Sequence, residues 1–163
     1  MIRPMRKNKY LFLLCAILIV SCNESAVYRE KKEIPKEVWQ IKEPINFRFV
    51  AEDTLQDYNI FLTFDLKKNF KTSNLWIFAR TQSPEGYTQQ DTLMFHITDY
   101  AGNWYGNKKG SLISHKFPYK TNIRFPQKGA YTFTLSHGMR PNQLPEIKNV
   151  GLVIEKIKTL KNS

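Results

Sequence analysis

Short segments in which apolar and polar residues alternate recur from residue 46 onward. In residues 46–50, Phe47 and Phe49 fall on one side of an extended chain and Arg48 falls on the other. This period-two alternation is typical of a strand with one buried face. It continues in residues 58–64, 74–81, 91–98, 122–125, 130–136 and 150–157. No segment carries a helical apolar stripe longer than two turns, so the sequence predicts an all-β protein.

Turn-forming sequences separate these segments. SPEG, DYAGN, GNKKG and PQKG begin at residues 83, 99, 106 and 126, and each contains glycine beside other turn-favouring residues. About eight strands separated by such turns predict a single antiparallel β-sandwich, of jelly-roll or immunoglobulin-like type, over residues 45–158. Residues 159–163 are expected to form a tail. Residues 74–81 carry large apolar groups on both faces, which predicts a central strand with Trp76 in the core.

The first nine residues include four basic residues and no acidic one, and eleven apolar residues, Tyr10–Val20, follow them. This is the layout of a secretory signal. Eleven residues make about 16 Å of helix, roughly half the hydrocarbon core of a bilayer, so a permanent membrane span is not expected. The sequence Ile19-Val20-Ser21-Cys22 resembles the cleavage box of bacterial lipoprotein precursors. Residues 1–21 are therefore predicted to be removed and Cys22 to be lipidated, which makes a membrane the first expected partner.

Residues 22–44 mix charges with two prolines and show little periodicity, so they are interpreted as a tether that leads into the domain, and Trp39 is expected to dock. No disulfide is expected in the mature chain, because one of the two cysteines is lost with the signal and the other is acylated. Basic residues outnumber acidic ones by 25 to 14. Export from the cytoplasm argues against nucleic acid as the anionic partner.

The sequence shows no catalytic constellation. His96, His115 and His137 lie in separate segments without a cysteine partner or a metal-binding spacing, and surface or turn positions are expected for them. Asp99 is expected to begin an Asx-turn in DYAGN rather than to bind calcium. No P-loop, nucleophile elbow or dinucleotide turn is present. We therefore predict that the protein is not an enzyme and needs neither a metal nor a cofactor.

One loop could bind a ligand. Tyr100, Trp104 and Tyr105 lie together between glycines, and they could form a stacking platform for a glycan or contact a partner, with Asp99 and Asn103 as polar groups. The alternative is that Trp104 folds back and closes the end of the sandwich.

Seven motifs in the predicted domain follow one another in the order found in a known family. They are Ser73-Asn74-Leu75, Asp91-Thr92-Leu93, DYAGNWYG at 99–106, Asn122-Ile123-Arg124-Phe125-Pro126, GAYTF at 129–133, Met139-Arg140 and NVGLVIEK at 149–156. Together with the lipoprotein box, they resemble the gliding motility lipoprotein GldH family of the Bacteroidetes over about 140 residues.

The resemblance implies a cell-envelope lipoprotein that works with other gliding and secretion proteins and catalyses no known reaction. Surface export in this phylum is associated with an acidic cluster after the lipidated cysteine, and here only Glu24 follows Cys22 closely. The expected location is therefore the outer membrane, facing the periplasm. An envelope glycan-binding module is the alternative function.

Overall fold

The structure, a computed structural model, describes residues 25–158 and contains eleven strands joined by turns and one short 3-10 turn, Pro35–Glu37. The strands are β1 Ala26–Glu33, β2 Val38–Gln40, β3 Ile45–Ala51, β4 Tyr58–Lys67, β5 Asn74–Gln82, β6 Thr88–His96, β7 Asn107–Lys109, β8 Leu112–Ile123, β9 Gly129–His137, β10 Gln143–Pro145 and β11 Ile147–Lys156. The prediction of an all-β chain is confirmed. Within residues 25–158, no helix has the length and apolar character needed to cross a bilayer.

Two antiparallel sheets form the sandwich, which confirms the predicted architecture. The first sheet has the order β1-β11-β4-β8-β7 and the second has the order β3-β9-β5-β6, while β2 and β10 form a small separate ribbon. The eight strands of seven or more residues pair in a nested way: β1 with β11, β3 with β9, β4 with β8, and β5 with β6. Alternate pairs of this long folded hairpin enter opposite sheets. This nesting is the jelly-roll arrangement, so the structure selects it over the immunoglobulin-like alternative.

The core lies between the inner faces of the two sheets. Alternation along β3 buries Phe47 and Phe49 and exposes the residues between them, and β9 buries Phe133 against them. An aromatic cluster near one end of the sandwich joins Phe49 to Phe125 at 5.1 Å between ring centroids, and Phe125 to Tyr131 at 4.7 Å. Phe133 is 1% exposed, as its predicted inward position requires.

The predicted tether is wrong from residue 26 onward. β1 forms an edge of the first sheet and pairs with residues 149–155 of β11. Tyr28 packs edge-on against Phe49, with 5.8 Å between the ring centroids, and Trp39 is 1% exposed with its indole N–H donating to the carbonyl of Glu43. An edge strand exposes one face and one row of backbone groups, so charged residues are tolerated there. That composition explains why the sequence did not predict β1 as a strand. The predicted docking of Trp39, which lies in β2, is confirmed.

A second strand is longer than the sequence indicated. Residues 122–125 were predicted as a strand, but β8 starts at Leu112 and ends at Ile123. It contains Pro118 and several polar residues, which weaken the period-two pattern. The short strands β2, β7 and β10 were also absent from the prediction. Residues 1–24, which contain the predicted signal and the predicted lipidation site Cys22, and residues 159–163 lie outside the described residues.

Candidate binding surface

The loop from Asp99 to Gly106 is built by its own hydrogen bonds. The backbone N–H groups of Ala101 and Asn103 donate to Asp99 Oδ1 at 2.9 and 2.8 Å, and the Asn103 side-chain amide donates to Asp99 Oδ2 at 2.8 Å. These bonds, led by the one from the Asn103 side chain, lower the pKa of Asp99 because they stabilise its charged form. The predicted Asx-turn is therefore confirmed. Both carboxylate oxygens already hold the loop together, so Asp99 serves the turn rather than an incoming ligand.

The three aromatic residues predicted as a platform are divided by the fold. Trp104 is half-buried, forms an isolated bridge with Thr98 and packs against the core, with its ring centroid 6.0 Å from that of His115. Tyr100 and Tyr105 point outward and are 108% and 63% exposed. The structure therefore brings two of the three rings to the surface and turns the third toward the interior.

A shallow cleft lies beside the two exposed tyrosines. It has a volume of about 310 Å³, and its lining includes Tyr100, Tyr105, Asn74 and His96. Asn74 and His96 are directly paired across β5 and β6, and the His96 side chain is exposed, as the sequence predicted. The cleft therefore offers two aromatic rings, an amide and an imidazole to solvent.

The outer face of the second sheet continues from this cleft as an apolar surface. Trp76 pairs across strands with Met94, and Phe78 pairs with Thr92. Trp76, Phe78 and Met94 are 40%, 38% and 38% exposed. The solvent face of an antiparallel sheet is usually polar, so three large apolar side chains together are notable. We call Trp76, Phe78, Met94, Tyr100 and Tyr105 the aromatic face.

The prediction that Trp76 lies in the core is wrong. On β5, Leu75, Ile77 and Ala79 point inward and are at most 1% exposed, which sends Trp76 and Phe78 to the opposite face. Both faces of this strand are apolar, so alternation alone could not identify the inner one. Only the pairing of β5 between β6 and β9 decides which face meets the first sheet.

Gly138 and Met139, which follow β9, contact the Trp76 backbone and the Phe78 ring of the aromatic face. The backbone N–H of Trp76 approaches the thioether sulfur of Met139 at 3.4 Å, and the N–H of Gly138 donates to the Trp76 carbonyl at 2.7 Å. A Cβ atom at Gly138 would lie 3.0 Å from the Phe78 ring, so glycine lets this ring lie against the backbone of the next strand. A groove of about 330 Å³ adjoins Phe78 and is bounded by Ile41 and Pro44. The surface is therefore shaped as well as apolar.

Two of the three histidines are buried, which corrects the expected surface or turn positions. His115 is 4% exposed and His137 is fully buried, because both fall on inward-facing positions of β8 and β9. Burial lowers the pKa of each imidazole, since the charged form loses its hydration. His115 stacks on Phe117 at 5.4 Å, and His137 packs edge-on against Trp39 at 5.5 Å. They are packing residues, and the sequence signal for them was their in-phase position with apolar neighbours two residues away.

A second cleft opens between the two sheets at the opposite end of the sandwich. Its volume is about 290 Å³, its floor includes Phe133 and Tyr131, and Lys120, Arg124 and Tyr87 lie in its wall. Both cations are paired: Lys120 lies 3.0 Å from Asp91, and Arg124 lies 2.6 Å from Asp57. This cleft is therefore apolar in its depth and carries little uncompensated charge.

Within residues 25–158, no three His, Cys, Asp or Glu side chains are grouped so that they could hold a metal ion. The described chain is a jelly-roll domain with a shaped aromatic surface. The sequence model of the GldH lipoprotein matches residues 26–154, and the chain belongs to this family. Membership in a lipoprotein family supports a lipid-anchored location in the cell envelope.

Two relatives match over nearly their whole length. A protein of Christiangramia forsetii named gliding motility lipoprotein GldH homolog is 29% identical over 90% of this chain and 94% of its own. The gliding motility lipoprotein GldH of Flavobacterium johnsoniae is 28% identical over 91% of this chain and 96% of its own. Among solved structures, a fructofuranosidase variant from Schwanniomyces occidentalis, complexed with fructosylnystose, has a TM-score of 0.38 at 12% identity, over 81% of this chain and 34% of that one. A similarity at that level supports no argument about this chain.

Proposed function

We propose that the protein is a non-enzymatic, lipid-anchored component of the gliding motility machinery and of the protein secretion associated with it. In this proposal Cys22 carries the anchor, and the aromatic face docks another envelope protein of the machinery. The family membership and the names of the two relatives support the motility role. The observation that carries the docking role is the exposure of Trp76, Phe78 and Met94 side by side on an outer sheet face.

A protein interface needs this kind of surface. Interface cores are enriched in tryptophan, other aromatic residues and methionine, and a polar rim surrounds them. Here Arg80, Gln90 and Thr134 line the groove that continues from Phe78, so polar groups flank the apolar centre. Contiguous exposed apolar patches that are rimmed by polar residues mark interaction sites. A lipid anchor would confine the protein and its partner to one membrane, which lets a modest interface suffice.

The polar groups of the domain support a role without chemistry. Both carboxylate oxygens of Asp99 accept hydrogen bonds from its own loop, and Asp65 accepts hydrogen bonds from Lys31, Ser114 and Asn149. The buried histidines pack among aromatic rings, as described above. A general acid or base must instead reach a substrate proton from a cleft, and of the three histidines only His96 lines a cleft described above. We propose that the anchored protein lies at the outer membrane and faces the periplasm. Surface export in this phylum is associated with an acidic cluster after the lipidated cysteine, and here only Glu24 closely follows Cys22.

An envelope glycan-binding module remains the second candidate function, and one observation favours it. Tyr100 and Tyr105 are exposed beside a cleft that also offers Asn74 and His96. Aromatic rings stack on the apolar faces of sugars while amides bind hydroxyl groups. The inward position of Trp104 removes the largest ring from this platform, which is why we rank this function second.

The test uses two double variants in a gliding host whose own family member has been deleted. Trp76→Ser with Phe78→Ser removes the centre of the aromatic face, and Val27→Ser with Val50→Ser is the matched control, because these valines are 42% and 47% exposed elsewhere. We expect the first variant to lose colony spreading and secretion together while it stays folded and membrane-bound. The control should retain both traits. Affinity purification should recover a partner with the control and lose it with the first variant.

A third double variant, Tyr100→Ser with Tyr105→Ser, separates the two candidate functions. Loss of motility in this variant alone, together with loss of binding to envelope glycans, would replace protein docking with glycan binding. Full function of the Trp76→Ser, Phe78→Ser variant would contradict the docking role of the aromatic face.

A further inference from the structure

The start of β1 at Ala26 leaves very little chain between the domain and the predicted anchor. Three residue steps separate Cys22 from Ser25, and they span at most about 10 Å. The headgroup region of one leaflet is itself roughly 5–8 Å thick. Ser25 already belongs to the domain, because its carbonyl accepts a hydrogen bond from the N–H of Lys156 at 2.9 Å. If Cys22 carries lipid, as the proposed function requires, one particular end of the sandwich must lie against the bilayer.

Three loops form this end together with Ser25. They are residues 52–57 between β3 and β4, residues 83–87 between β5 and β6, and residues 124–128 between β8 and β9. We call them, with Ser25 and residues 156–158, the anchor end.

The loops of the anchor end contact one another and are held in a fixed arrangement. The N–H of Ile157 donates to the Asp57 carbonyl at 2.9 Å, and Arg124 bonds the Asp57 carboxylate. A Cβ atom at Gly129 would lie 2.9 Å from the Pro84 ring, so the loop 83–87 lies directly against the first residue of β9.

Two large apolar side chains project from this end. Leu55 and Tyr87 are each 76% exposed, which is more than any other large apolar residue of residues 25–158 except Tyr100. Both stand on turns fixed by side chains: the N–H of Leu55 donates to Asp53 Oδ1 at 2.8 Å, and that of Tyr87 donates to Ser83 Oγ at 3.1 Å. Exposure of leucine and tyrosine on ordered turns suits the membrane interface, where amphipathic and apolar groups gain by insertion.

The exposed charges of the anchor end are balanced. Lys128, Lys156 and Lys158 are opposed by Glu52, Asp53 and Glu85, all of them exposed. The remaining exposed cation, Arg124, is paired with Asp57. A surface without net positive charge gains little from anionic headgroups. Contact with a bilayer would therefore depend on the anchor and on the two apolar side chains.

We propose that the anchor end is a membrane-docking surface that lies on the phospholipid bilayer carrying the anchor, with Leu55 and Tyr87 inserted at headgroup depth. The strands then stand steeply on the membrane. The aromatic face runs up the side of the domain, and the loop bearing Tyr100 points away from the membrane. The inference rests on the proposed anchor at Cys22 and adds an orientation that the anchor alone does not give.

The experiment uses the full-length acylated protein, purified from membranes and reconstituted in vesicles of phosphatidylcholine alone. Leu55→Cys, Tyr87→Cys and Tyr100→Cys each introduce one free thiol for an environment-sensitive fluorophore, because Cys22 is the only other cysteine of the mature chain and its sulfur carries the lipid. Lipid spin-labelled near the headgroup quenches a fluorophore that lies at that depth. We expect quenching at positions 55 and 87 to exceed that at position 100 by roughly twofold or more.

A second measurement needs no substitution. Acetylation of lysines in the vesicle-bound protein should be slower at Lys128 and Lys156 than at Lys108 and Lys109, which lie in β7 toward the other end. In detergent the same lysines should react at similar rates.

The outcomes separate the two layers of the inference. Co-flotation of the protein with vesicles, together with equal quenching at positions 55, 87 and 100, overturns the orientation and leaves the anchor standing. Failure to co-float overturns the anchor and the orientation together. Selective quenching at positions 55 and 87, with slower acetylation at this end, supports both.

Discussion

The substitution Gly151→Ala tests whether β1 belongs to the sandwich. Gly151 of β11 faces Lys31 of β1 and Thr63 of β4 across the sheet. An added Cβ would overlap the hydroxyl oxygen of Thr63 and would lie 2.8 Å from the carbonyl oxygen of Glu30. The hydroxyl can move by rotation of a side chain, but the carbonyl belongs to the β1 backbone. β1 must therefore shift away from β11, or its pairing must weaken.

Overpacking of this kind costs about 1–3 kcal/mol, and contact with backbone favours the upper half of that range, so we expect about 2 kcal/mol. At an m-value of about 2 kcal/mol/M, the urea midpoint would fall by roughly 1 M. The assay is urea unfolding of the mature chain with Cys22→Ser, followed by circular dichroism. Hydrogen exchange should also become faster in residues 28–32, because their hydrogen bonds to β11 are strained directly.

Thr63→Ala supplies the internal control. The Thr63 hydroxyl is buried and has no hydrogen-bond partner among the described residues, so its removal alone should cost under about 1 kcal/mol. In the double variant the first overlap disappears, and about 1 kcal/mol of the Gly151→Ala cost should be recovered as a coupling energy. If Gly151→Ala is as stable as the parent and exchange in residues 28–32 is already fast, residues 26–33 are a tether after all. The membrane orientation would then lose its basis.

Three further predictions follow from the described residues and from the lipoprotein box. Phe133→Ala should cost about 3–5 kcal/mol in urea unfolding, whereas Thr132→Ala on the opposite face should cost under about 1, and equal costs would contradict the strand phase. Cys22→Ala should leave the domain folded but release it from membranes or stall the precursor, which membrane fractionation will show; a processed protein that stays tightly bound would contradict lipidation. The free energy of unfolding should decrease as the pH falls from 7.5 to 5.5. Burial lowers the pKa of His115 and of His137 in the folded chain below the unfolded value of about 6.5. The unfolded chain therefore binds protons at these two histidines at a higher pH than the folded chain does. The decrease is at most about 1.4 kcal/mol per pH unit for each histidine, and a flat profile, or an unchanged slope in a His137→Phe variant, would show that burial does not control their protonation.

The strand pattern, the N-terminal signal prediction and the family could each be read from the sequence alone. Strict alternation in several segments requires extended chain with one buried face, because only a strand places every second side chain on the same side. The positions of Phe47, Phe49 and Phe133 in the core follow directly. The prediction of a cleaved signal and a lipidated Cys22 is equally local, because it rests only on the basic and apolar N-terminus and its cysteine box. The ordered motifs identified the family without any structure.

The tertiary structure decided the features that depend on which strands become neighbours. β1 exists because β11, more than a hundred residues away, offers it an unpaired edge, and nothing in the charged sequence of β1 shows this. Trp76 faces solvent because Leu75 and Ile77 occupy the inner face of β5. Both faces of this strand are apolar, so alternation in the sequence could not tell which one is buried. The burial of His115 and His137 has the same origin, because the pairing of β8 and β9 determines which of their faces points into the core. Local periodicity shows which side chains share a face of a strand. The long-range strand pairing of the jelly roll determines which face is buried in the core, and that pairing depends on the whole chain.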